Sequence, residues 1–233
     1  MCLSAYSIDK GIENGHEWVD LGLPSGTKWA TCNIGASKPE EFGNYYAWGE
    51  VTPKDVYDWS TYKYGSLDEI KKYIESSSGK NGFADSKTVL ELEDDAAHVN
   101  WGGKWRMPTR EQQDELCGQC YWVWTENYNN SGVKGYIVYK AKASSDKDVK
   151  VFKDIPPLSS YSLSDAHIFL PAVGYSYNGD PNGAGSFGFY WSSSLYASNP
   201  GNAWGVYFSS DYVGSGNIGR FCGQSVRAVI PGE

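Results

Sequence analysis

From Trp122 to its C-terminus the chain reads as short strands divided by turn residues, with no helical period, and this limits the second half to strands and loops. The runs "GYIVYK" and "IFLPAVGYSY" look like core strands. "FGFYWSSS" and "NAWGVYFSS" follow, and "SVRAVI" closes the chain. Within "AWGVYF", strand alternation puts Trp204, Val206 and Phe208 on one face and Gly205, Tyr207, Ser209 and Asp211 on the other. The first set is expected in the core and the second outward.

The first half is mixed. Residues 17–64 read as short strands and turns, with Pro24-Ser25-Gly26 as a strong turn signal. Three helices are expected after them. Ser66 opens a Ser-x-x-Glu capping box before Leu67, Ile70 and Ile74 at helical spacing. A second segment, residues 92–99, sets Leu92, Ala96 and Val99 on one face behind an acidic start that suits the positive end of a helix dipole. Thr109 opens a Thr-x-x-Gln box after Pro108, for a helix ending near Cys117.

Composition shifts along the chain. Every lysine lies at or before Lys153, and from there to the terminal Glu233 there is no Lys, Glu or Met. Tyr, Ser, Gly and Asn replace them. Solvated surfaces use Lys and Glu freely whereas interface cores are depleted of them, so this segment is expected to display a binding surface. The 10 Trp, 18 Tyr and 8 Phe of the 233 residues fit either such a surface or a β-rich core.

Several function classes are excluded or weakened. A net charge of -8 argues against nucleic acid and against anionic membrane surfaces. No run approaches the ~18 apolar residues of a membrane helix, and "MCLSAYSIDK" lacks the pattern of a signal peptide. The five cysteines form no disulfide framework, and Cys117 and Cys120, at the end of an expected helix, read as packing thiols. Gly183, Gly185 and Gly188 spell a dinucleotide fingerprint but lead into a strand, which that site does not tolerate. Asn178, Asp180, Asn182 and Gly183 match the opening of a calcium loop, yet Phe189 stands where the bidentate Glu belongs, so no metal or other cofactor is expected. His16, His98 and His167 have no recognisable catalytic partners, and no enzymatic activity is expected.

The ordered motifs "VDLGLPSGTKWATCNIGA", "YYAWGE", "DDAAHVNWGGKWRMPT", "IFLPAVGY", "YWSSS" and "SVRAV" resemble the Fibrobacter-type major paralogous domain of secreted and surface proteins in gut Bacteroidetes, across roughly residues 17–231. The resemblance implies an α+β, C-type-lectin-like fold: a small twisted antiparallel sheet with flanking helices and long loops. It implies an N-terminal extension (1–16) and one domain (17–233). Formylglycine-generating enzymes, in the same fold group, use two cysteines near the C-terminal core, where this chain offers Cys222 alone. The stretch from "YWSSS" to "SVRAV", about 190–227, also resembles the variable region of proteins diversified by retroelements. Such diversification cannot produce Trp, Met, Lys, Glu or Gln, and none of these occurs from Gly205 to Gly223.

The resulting expectation is a receptor-binding or adhesin-type protein, extracellular, on a cell surface or on a virion, that binds a protein or carbohydrate ligand on a cell surface. Its expected contacts are Tyr207, Ser209, Asp211, Tyr212, Ser215, Asn217, Arg220 and Phe221. A glycan-recognising surface module, a formylglycine-generating-like enzyme and a structural pilus-type component are the alternatives.

Overall fold

A computed structural model describes residues 9–75 and 84–232. Strands β1 (Lys10–Glu13), β2 (His16–Asp20) and β3 (Lys28–Asn33) open the chain, and two-residue strands β4 (Gly65–Ser66) and β5 (Glu69–Ile70) follow. Helices α1 (Ala96–Trp101) and α2 (Arg110–Gln119) come next. They lead to β6 (Cys120–Thr125), β7 (Gly135–Lys140), β8 (Lys150–Val151) and β9 (His167–Pro171). The last third holds β10 (Tyr175–Tyr177), β11 (Asp180–Asn182), β12 (Phe187–Leu195), β13 (Asn202–Ser209), β14 (Tyr212–Gly219) and β15 (Arg227–Ile230).

This architecture overturns the expected α+β, lectin-like arrangement with flanking helices. Among the described residues strand accounts for 37% and helix for 12%, spread over five small sheets, two α-helices and three 3₁₀ turns. The Ser66 segment is a hairpin: Gly65 sits at φ +102, where its missing side chain lets Glu69 O approach. The segment from Leu92 breaks into a 3₁₀ turn (Leu92–Asp94) and the six-residue α1, capped by the Asp95 carboxylate on His98 N–H. The buried residues of α1 are Ala96, Ala97 and Trp101, while Leu92 and Val99 are exposed. Only the third helix follows expectation, with Thr109 and Gln112 closing a reciprocal capping box at the start of α2.

Sheet order β1-β2-β3-β15 joins both ends of the described chain, since β15 runs antiparallel to β3. Strand β1 takes in residues of the expected N-terminal extension. A second sheet, β8-β6-β7-β9, is buried on both faces: Trp122, Tyr136 and Val138 enter the central core, and Tyr121, Ile137 and Phe169 a smaller one. The third, β12-β13-β14, lies against α2, whose Gln113 amide donates to the Tyr190 and Trp191 carbonyls. Asn178 and Gly179 form the turn between β10 and β11 with φ values of 53° and 90°, the two-residue hairpin geometry that Asn-Gly favours. The side chain of Asp180, the calcium-loop candidate, lies outside the described residues. Gly188 serves packing, because a Cβ there would lie 2.0 Å from Phe208 Cζ.

Candidate functional site

Residues paired across an antiparallel ladder project from the same face, so the register of β12-β13-β14 sorts its side chains. One face carries Tyr190, Val206, Phe208 and Val213 into the central core. Trp204 belongs to this face but is only half-buried, a departure from the expected core position. It lies beyond the core's edge, with the Arg110 guanidinium of α2 stacked 3.6 Å from its ring centroid and Tyr196 edge-on.

The opposite face carries Phe187, Phe189, Tyr207, Ser209 and Tyr212. Phe187 and Tyr212 are each 43% exposed. The rings of Phe189 and Tyr207 lie 6.0 Å apart at 15°, those of Tyr207 and Tyr212 5.0 Å apart at 24°. Tyr175 of β10 meets Phe189 edge-on at 5.1 Å. The glycines of β14 make this possible. A Cβ on Gly216 would sit 2.5 Å from Tyr207 Cε1, and one on Gly214 would sit 2.2 Å from the Tyr212 hydroxyl. The rings of Tyr207 and Tyr212 therefore lie down over glycine backbone. At the rim, the Ser209 hydroxyl donates to the Asp211 carboxylate in the β13–β14 turn.

The eight expected contact residues do not form one surface. Tyr207, Ser209, Asp211 and Tyr212 come together on the aromatic face or its rim. Ser215 and Asn217 project from the opposite face, where Ser215 donates to Asp114 of α2 and Asn217 accepts from Asn202. Phe221 packs against Trp59 at 4.9 Å and Tyr177 at 5.9 Å, away from the ring row. Arg220 is the clearest correction: it is fully buried. Its guanidinium donates to the Tyr62 hydroxyl and to the carbonyls of Lys72, Tyr73 and Pro200, and lies 4.7 Å from the Trp48 ring centroid. It is a structural anchor.

Phe187, Phe189 and Tyr175 are additions that residue reading missed. The signal was present for two of them, because Phe187, Phe189 and Trp191 alternate in "FGFYW" as a two-faced strand does. Gln224 has no such signal. Its side chain closes the inner end of the aromatic face, beside Gly205, Gly216 and Ile218.

Other chemistry-bearing groups are engaged in the fold. His16 stacks on Trp101 at 3.9 Å, His98 meets Arg106, and His167 is buried against the Tyr128 hydroxyl. Burial pushes the Cys117 thiol up to about 12 and raises Cys120 as well, the behaviour of packing thiols. Glu91, Glu93 and Asp94 are near enough to share a cation, but Lys72 reaches all three. Burial alone would raise the Asp94 carboxyl, yet bonds from Lys72, Tyr73 and Lys63 hold it down at about 2.

Residues 122–229, from β6 into β15, match a family described as a domain of unknown function, DUF8237. No curated protein and no solved structure matches the chain. Among the described residues, no helix is long and apolar enough to cross a membrane.

Proposed function

We propose that the protein is a binding module whose contact surface is the aromatic face of β12-β13-β14. The observation that carries this reading is the row of nearly parallel, partly exposed rings, Phe189, Tyr207 and Tyr212, with the two tyrosines laid over glycine, in a lysine-free segment. Large rings held in one orientation offer contact area at low entropic cost. Ser209 and Asp211 add polar contacts at the rim.

If this segment is diversified, the buried positions limit what can vary. Arg220 and Cys222 are core residues, and Gly205 and Gly216 admit no side chain without displacing neighbours. The freedom falls on Tyr207, Ser209, Asp211 and Tyr212.

The test is the double variant Tyr207→Ala/Tyr212→Ala, assayed against panels of glycans, whole cells and purified surface proteins. We expect the melting midpoint to stay close to that of the parent and binding to be lost. Equal loss on changing Asn217 and Ser215, on the other face, would sink this reading.

A further inference from the structure

Strand β14 ends the sheet β12-β13-β14, and no strand pairs with its outer edge among the described residues. The bond from Arg220 N–H to Gly201 O continues the β13–β14 ladder by one step and fixes its parity. Antiparallel partners bond in alternate pairs. Tyr212, Gly214, Gly216 and Ile218 therefore turn their main-chain groups to β13, and Val213, Ser215 and Asn217 turn theirs outward. The β12 side agrees, since Phe189 O and Trp191 N–H are bonded to Ser225 and leave Tyr190 to pair with Val206. Among the described residues, no group bonds to the outward N–H and C=O of Val213, Ser215 and Asn217.

Sheets guard such an edge with short strands, charged side chains or proline. The end strands β1 and β8 follow this rule, being four and two residues long and carrying Lys10, Glu13 and Lys150. Strand β14 has eight residues, none of them charged and none proline. An edge of this kind is a template for an added strand.

An added strand inherits the two faces of the sheet. Its side chains on one face lie beside Tyr212 and the glycines that the Tyr212 and Tyr207 rings cover. Those on the other face lie beside Ser215 and α2, where Asp114 accepts from the Ser215 hydroxyl. Glu111, one turn earlier on the same helical face, is exposed and in no ion pair among the described residues. Arg110 does not neutralise it, being drawn to the Trp204 ring and to Asp114, and Lys150, beyond Cys117, is paired with Asp148. A second copy paired through β14 would set its own Asp114 and Glu111 beside these, like charge against like. Resting on the proposed binding function, we infer that the partner is an extended basic segment of another protein, added to the edge of β14. Its lysine or arginine side chains face α2, and its apolar side chains join the aromatic face.

The probe is a capped peptide of alternating lysine and valine, as long as β14, titrated into the full chain by calorimetry beside the same peptide with glutamate for lysine. The lysine peptide is expected to bind, and the glutamate peptide to bind roughly tenfold more weakly or not at all. Methylating the backbone amides of the lysines or those of the valines should abolish binding in one case and leave it in the other, because alternate amides face β14. Ser215→Pro removes an outward N–H without breaking the ladder to β13, so it should melt near the parent's midpoint and lose the peptide. Ser215→Ala keeps that N–H and should bind as the parent does. Equal binding of the two methylated peptides, equal binding of the lysine and glutamate peptides, or parent-like binding by Ser215→Pro would each overturn the assignment. So would a concentration-dependent dimer that Ser215→Pro abolishes, which gives the edge to a second copy. If Ser215→Pro does not fold, the methylated peptides on the parent chain decide. If no peptide binds while another ligand does so through Tyr207 and Tyr212, the edge assignment fails and the aromatic face stands. Peptide binding unchanged in Tyr207→Ala/Tyr212→Ala keeps the edge and removes the aromatic face.

Discussion

Arg220 shows how a residue's chemistry is decided by what surrounds it. An arginine in a segment otherwise poor in charge reads naturally as a directional surface contact. Here it is buried with no ion pair to a carboxylate among the described residues, and its fork of donors is spent on one hydroxyl and three main-chain carbonyls. Arg227 repeats the solution, donating to Asn33 Oδ1 and to the carbonyls of Ala30, Thr31 and Phe169, and burial lowers its pKa. Such a site asks for a planar, multiply donating cation. Arg220→Met leaves its acceptors unpaired and should cost about 3 kcal/mol or more. Arg220→Lys keeps the charge but not the fork, and should still cost about 1–2 kcal/mol. Urea unfolding checks both as a lower midpoint with an unchanged slope. If Arg220→Met is as stable as the parent, the anchor role is wrong.

At the scale of elements, the glycines divide into those that make room and those that do not. Gly118 of α2 has no atom within 4 Å of where a Cβ would stand, whereas a Cβ on Gly205 of β13 would lie 2.6 Å from Tyr190 O. Gly118→Ala should therefore raise stability by about 0.5 kcal/mol, and Gly205→Ala should lower it by about 1–3 kcal/mol. Thermal melting of the two variants side by side tests the contrast, and equal effects would contradict the packing described for β13. The same elements show what was legible beforehand. The capping box of α2 was readable because Thr109 and Gln112 satisfy each other locally, whatever packs around them. The Ser66 box was misleading because Gly65, at φ +102, turns the chain before a helix begins. The candidate site was half readable for a reason of parity. Alternation held through β13, but the turn at Ser210–Asp211 sets Ser209 opposite Tyr212. Even-numbered residues of β14 then continue the aromatic face, and Ser215 and Asn217 fall on the other side.

For the whole molecule, the stretch from Arg220 to Val229 matters most. Arg220 accepts from Trp48, Gly223 pairs with Ser176, Gln224 with Tyr46, and Ser225 is bonded to both Phe189 and Trp191. Val226 accepts from Ile34, and Val229 pairs with Arg106. No local opening frees these groups, because each is tied to a different part of the chain. The consequence lies in solvent exchange. Transferred to heavy water, the protein should lose amide protons first from exposed turns such as Asn178–Gly179, on the timescale of local fluctuation. The amides of Gly223, Gln224, Ser225 and Val229 should be among the last to go, at the rate set by complete unfolding. Added denaturant should speed their exchange in step with the global transition, while exchange at Gly179 barely responds. Fast exchange at Gln224 and Val229 would show that this segment detaches by itself, leaving the sheets to hold together without it.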